Sequence, residues 1–259
     1  MQIGVPVMKK LLGALTSLIL AGLVVIGGFM FFQPTDNLKE IKRVTADDGL
    51  SPRLLTYAIN GYRWAVRNGT VADTAVLTIV DFNRPSNEKR LWVIDLKNDH
   101  VLMHIDVAQG KNTGKLYATR FSNRPGSDES STGVYTTASV FEGEHGESLH
   151  VKGLEKGINS NAASRAIEIH PAWYVTHAFI KDHGYAGRSW GCFAVNPKDA
   201  DKFIGYIKGG SVLFAYGAPE KYDLRVNHPL SKSGEEIYTA IMGGKIEEKD
   251  PVIRFFQSF

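Results

Sequence analysis

Between residues 75 and 217 the chain breaks into short β-favouring runs separated by turn-forming clusters, and this pattern restricts its fold more than any other feature. "AVLTIVDF" at 75–82 is a short apolar run, "RLWVIDL" at 90–96 alternates, and "HVLMHIDVAQG" at 100–110 follows the turn "KNDH". "GVYTTASVF", "SLHVKGL", "AIEIHPAW", "CFAVN" and "SVLFAYG" continue the series. The glycine-, proline- and aspartate-rich stretch "GKNTGKLYATRFSNRPGSDESST" reads as loop able to line a cleft. "PKDADKFIGYIKGG" reads as a helix, with Pro197 near its start and Phe203, Ile204 and Ile207 on one face. Many strands and few helices predict a mainly β domain over 75–217, of sandwich or barrel-like architecture.

Upstream, "SPRLLTYAINGYRWAVRNG" carries helix signals: Ser51 as cap, Pro52 in the first turn, apolar residues at helical spacing, and Asn68-Gly69 as a stop. It predicts an amphipathic helix within a 34–74 segment of tether and helix, packed on the domain that follows. The aromatic stripe Tyr57, Tyr62 and Trp64 is read as packing. Residues 218–259 form a C-terminal extension to which the sequence gives no role.

The first 33 residues contain Leu11 to Phe32, a run without charge. As a helix it reaches about 33 Å, enough for a hydrocarbon layer of ~30 Å. Lys9 and Lys10 precede it and keep the N-terminus on the cytoplasmic side. The run is longer than a usual signal core and lacks a convincing small-x-small site, so an uncleaved anchor is expected, with a cleaved signal as the alternative. Either places the domain outside the cytoplasm, in the periplasm or cell envelope. The formal charge is +3, from 30 Lys and Arg scattered among 27 Asp and Glu, and no basic stripe points to nucleic acid.

An exported chain of this size can bury a core without disulfides, and it has one cysteine, Cys192, in "GRSWGCFAVNP". An unpaired cysteine outside the cytoplasm is a buried small hydrophobe, an intermolecular link or a reactive thiol. A nucleophilic thiol needs a base and donors for an oxyanion. Gly191 permits a tight turn that can aim the nearby amides, Ser189 can orient an imidazole, and Arg188 can favour the thiolate or take a substrate carboxylate. His170, His177 and His183 lie upstream, with His170 at the end of the apolar run "AIEIH". Their spacing matches no metal signature and "HExxH" is absent, so no metal is expected.

"AIEIHPAWYV" followed by "GRSWGCFAVNP" resembles the catalytic core of the L,D-transpeptidases of bacterial cell walls, the YkuD-type family. "TRFSNRPGSDESSTGVYTT" and "GEHGESLHVKGLEKGINSNAASR" resemble a subgroup of murein L,D-transpeptidase catalytic domains, and the resemblance covers roughly 75–217. It implies that Cys192 is the nucleophile, His170 its imidazole partner and Ser189 the residue that holds the imidazole. The sequence departs from the family pattern in three places. Pro171 follows the histidine where glycine is usual, Trp190 stands where histidine is common, and no arginine follows the cysteine block. Arg188 or Arg165 is the expected substitute, with Trp190 beside them as a substrate contact. His170 and Cys192 lie 22 residues apart, longer than in many members, which keeps His177 and His183 as alternatives.

The implied reaction is attack of Cys192 on the third residue of a peptidoglycan stem tetrapeptide, release of the terminal D-alanine, and transfer of the acyl group to an amine, with no cofactor. Amides at Gly191 and Cys192 are expected to serve the oxyanion. Two alternatives accompany this reading: an L,D-carboxypeptidase or endopeptidase acting on the same bond, and a non-catalytic wall-binding module.

Overall fold

The computed structural model describes residues 48–217, together with Ile41, Thr45 and Ala46. The apolar run of 11–32 and the 218–259 extension lie outside these residues. Among the described residues no helix is long and apolar enough to cross a membrane.

Each of the short β-favouring runs of 75–217 contributes a strand. The first three are β1 (Val76–Asp81), β2 (Leu91–Asp95) and β3 (His100–Ile105), followed by the short β4 (Gln109–Gly110). Then come β5 (Gly133–Gly143), β6 (Gly146–Gly153) and β7 (Glu168–Pro171). The last three are β8 (Arg188–Ser189), β9 (Phe193–Val195) and β10 (Val212–Tyr216). Eight of them form one sheet in the order β3-β2-β1-β10-β5-β6-β7-β9, and β4 pairs with β8 in a separate ribbon. Two pairings in the large sheet are parallel, β1 with β10 and β7 with β9.

The mainly β expectation agrees with this architecture, but the sandwich half of it does not. Two facing sheets are replaced by one sheet that curls toward closure. Val107, just past β3, bridges to Val195 of β9, and the Ala108 amide donates to the Ala194 carbonyl at 2.8 Å. The two ends of the strand order therefore meet, which satisfies edge groups that would otherwise need water.

Strand alternation sorts the side chains onto two faces. Leu77 and Ile79 of β1, Trp92 and Ile94 of β2, Val134 of β5, and Val212 and Phe214 of β10 point to the face covered by α1 (Pro52–Arg67). That helix buries Leu54, Leu55, Ala58, Ile59, Tyr62 and Ala65 against them. Ser51 occupies its cap position in extended backbone, but its hydroxyl caps nothing, and Pro52 opens the first turn. Tyr62 donates to the Thr74 carbonyl at 2.7 Å, so the aromatic stripe is packing, as expected. The other face gathers Val80, Leu91, Val93, Tyr135, Leu149, Ile169, Phe193 and Leu213 around α3 (Pro197–Ile207), whose Phe203, Ile204 and Ile207 fill the curl. Asn196 caps α3 by accepting from the Lys198 amide at 3.1 Å. A buried side chain of this size contributes about 1.5–3 kcal/mol, so the two clusters supply the main stabilising term.

The α1 face changes character along the strand order. The registers Thr136↔Val212, His150↔Glu168 and His170↔Ala194 carry it across β6 and β7, where it bears His150, Glu168 and His170 instead of aliphatic residues.

Candidate active site

Cys192 immediately precedes β9, and the parallel register puts Phe193 opposite Ile169 and Ala194 opposite His170. Phe193 is fully buried, stacked on Phe82 at 6.2 Å and edge-on to Tyr135 at 5.4 Å. One residue of β9 is thus pinned in the core while the residue before it stays partly exposed. Cys192 stands one residue before β9 and His170 lies on the neighbouring β7, and this register, rather than their separation in sequence, sets their offset.

The Cys192 thiol donates to the Ala166 carbonyl at 3.4 Å, not to an imidazole nitrogen. Burial pushes its pKa up to about 11, and the Glu168 carboxylate adds to the rise. The Glu168 amide and the Arg165 guanidinium act in the opposite direction. At neutral pH the resting sulfur is therefore a thiol, and a thiol becomes a strong nucleophile only once a base has taken its proton.

His170 is 4 % exposed, and burial lowers its pKa, so the resting ring is neutral. Its Nδ1 lies 2.9 Å from the Pro171 carbonyl, an acceptor only, so Nδ1 carries the hydrogen and Nε2 the lone pair. The residue after the histidine thereby supplies the contact expected from Ser189. The Ser189 hydroxyl instead spans its own turn, donating to the Cys192 carbonyl at 2.7 Å and accepting from the Gly191 amide at 3.1 Å. Of the two amides expected to serve an oxyanion, that of Gly191 is engaged in this turn.

Gly191 has φ +122°, and a Cβ there would meet Ile167 Cδ1 at 2.7 Å and the Glu129 carbonyl oxygen at 2.9 Å. The turn needs glycine for its backbone and for the space.

The two candidate arginines part company. Arg165 donates to the Ser122 carbonyl at 2.7 Å, to Ser131 Oγ and Ser127 Oγ at 3.2 Å each, and to the Glu129 carbonyl. It clamps the 122–131 loop and lends its charge to the nearby thiol, with its guanidinium already hydrogen-bonded within the chain. Arg188 is exposed and donates to the Lys111 carbonyl at 3.2 Å beside the β4–β8 ribbon. Trp190 is 73 % exposed, with Lys111 Nζ 5.5 Å from its ring centre, and forms the rim next to the cysteine turn.

The alternative histidines engage other partners. His177 bonds Asp106 Oδ2 at 3.1 Å from the start of α2 (His177–His183), and His183 Nδ1 bonds the Phe179 carbonyl of its own helix at 2.9 Å. Sequence reasoning missed Glu168, His150, His145 and Tyr174. Glu168 was within reach of it, since period 2 from His170 puts it on the same strand face. His150 pairs with Glu168 at 3.4 Å, and Tyr174 packs where a Gly187 Cβ would stand, its pKa raised by burial and by Cys192.

The protein family described as the L,D-transpeptidase catalytic domain matches residues 46–216. The chain belongs to this family. Among solved structures similar to this L,D-transpeptidase-family chain is an L,D-transpeptidase from Mycobacterium smegmatis, 14 % identical over 55 % of this chain and 59 % of its own, with TM-score 0.36. A second is the LdtMt1 L,D-transpeptidase in complex with imipenem, 15 % identical over 54 % of this chain and 58 % of its own, with TM-score 0.34. A third is the helical cell shape determining protein Pgp2 (K307A mutant) from Campylobacter jejuni, 11 % identical over 71 % of this chain and 64 % of its own, with TM-score 0.39. The family chain thus spans less than two thirds of the length of each. The comparison with curated proteins returned no significant match.

Proposed function

We propose that this chain is a peptidoglycan L,D-transpeptidase that works through a Cys192 thioester, with His170 as its base. The observation that carries the proposal is the parallel β7–β9 register, which sets an unpaired thiol one residue before β9 beside the strand that bears a neutral imidazole with an identified lone-pair nitrogen. His170 Nε2 takes the Sγ proton as the sulfur attacks the carbonyl carbon of the third residue of a stem tetrapeptide. The Cys192 amide faces the oxyanion, since that of Gly191 is engaged. The C–N bond to D-alanine breaks, and the His170 imidazolium returns its proton to the departing amine. An incoming amine attacks the thioester, loses its proton to His170, and expels the sulfur, which regains that proton. Arg188 and Trp190 on the rim meet the substrate, while Arg165 stabilises the thiolate from behind its loop. The apolar run of 11–32 anchors the domain on the outer side of the membrane.

A second reading is favoured by the high thiol pKa and its bond to Ala166: a wall-binding module without catalysis. The two separate on incubation with imipenem, the ligand held by LdtMt1. Under the proposal, wild-type chain gains the mass of the drug and Cys192→Ala does not. No adduct on the wild type overturns it. Disaccharide tetrapeptides then distinguish transfer, which gives dimers, from hydrolysis, which gives free tripeptide.

A further inference from the structure

The β5–β6 hairpin turns through Glu144 and His145, with Gly146 at φ +98° closing the turn. Its tip lies over the end of β7: a Cβ on Gly146 would be 3.8 Å from the Pro171 ring. The His145 ring stacks on the His170 ring, with centroids 4.5 Å apart and planes at 25°. The sulfur mechanism does not use His145, and nothing in the sequence connects it with His170, 25 residues on.

We propose that His145 is a positioning residue for His170, its ring and the Pro171 carbonyl together fixing the plane of the imidazole and so the direction of Nε2. The inference rests on His170 being the base. Nδ1 is tied at 2.9 Å, which sets one axis of the ring but leaves rotation about that contact. A second aromatic face at 4.5 Å restricts that rotation. Such restraint matters because a displacement of ~1 Å can cost about 100-fold in rate.

The stack also has an electrostatic consequence. A protonated His145 disfavours a second positive charge on His170, so it acts with burial to lower the His170 pKa and keep the ring neutral. Other titratable groups near this surface are Glu168 on the same strand, His150 on β6 and Cys192 before β9, while Glu144 and Glu147 flank His145 in the hairpin. Glu168 and His150 pair with each other at 3.4 Å.

Two variants of the full chain separate ring from charge. His145→Phe keeps an aromatic face without a proton, and His145→Ala removes both. The exposed turn position makes folding of each simple to confirm by circular dichroism. The His170 imidazole is titrated by NMR, and the rate of imipenem acylation is followed against pH. In both variants the His170 titration moves to higher pH, and the acid limb of the acylation profile moves with it. The plateau rate stays near wild type in His145→Phe and falls by about tenfold or more in His145→Ala. A titration and plateau in His145→Ala that match wild type overturn the inference. A wild-type chain that imipenem does not acylate instead overturns the assignment of His170 as base, and the inference falls with it.

Discussion

A single glycine decides whether the cysteine turn exists. Gly191 combines φ +122° with a contact to the Glu129 carbonyl that a methyl group would violate, and backbone oxygen cannot rotate aside as a side chain does. Gly191→Ala is expected to destabilise the domain by about 2 kcal/mol or more, a fall in Tm of roughly 4–8 °C, and to abolish acylation of Cys192. Thermal melting and intact mass after imipenem check both, and a variant with wild-type Tm would show that the turn is not built as described. The neighbouring Ser189 illustrates the limit of motif reading. A hydroxyl three residues before the cysteine was expected to hold an imidazole, yet its nearest partners are the two ends of its own turn. Local hydrogen bonds of Ser with adjacent backbone form readily because little chain entropy is lost in making them.

At the scale of elements, the 122–131 loop is ordered by Arg165, which enters from the 3₁₀ turn Ala163–Arg165 before β7. One planar cation satisfies four oxygens of a segment that has no strand partner of its own. The same charge reaches the sulfur, so loop order and thiol chemistry are linked through one side chain. Arg165→Gln is expected to move the Cys192 titration above its value of about 11 and to expose the loop to limited proteolysis. Ultraviolet thiolate absorbance and trypsin cleavage after Arg124 are the readouts. Unchanged values in both would remove Arg165 from the site. The strands themselves were legible because each carries its period in adjacent residues, as did α1 and α3. Their partners were not. β1 pairs with β10 across more than a hundred residues, and only packing of both faces of β1 fixes that choice.

For the whole molecule, the entry into β5 hangs on a buried carboxyl. Glu155 Oε2 accepts from the Val134 amide at 2.6 Å, Oε1 has no hydrogen-bond partner, and burial raises the pKa from 4.5 to about 8. Asn159 completes the staple, donating to the Thr132 and Val134 carbonyls at 2.9 and 3.0 Å. A folded-state pKa above the unfolded one gives stability that is complete below 4.5 and is lost as pH rises through about 8. Wild-type Tm is therefore expected to fall between pH 5 and 8.5, and Glu155→Gln to remove that part of the fall. Melting curves across this range check it, and parallel profiles for the two chains would refute it.

By itself the sequence determined the β-rich class and the two amphipathic helices, and it pointed to the outlying apolar segment and, through the family resemblance, to Cys192 and His170 as the chemistry to look for. Each of these is written in neighbouring residues, as a period, a cap or a motif. Tertiary structure alone decided that one sheet curls instead of two sheets facing, that Pro171 rather than Ser189 holds the imidazole, that Arg165 clamps a loop, and that His145 backs His170. Those outcomes depend on contacts between segments distant in the chain, where competing partners differ by packing and burial rather than by local preference.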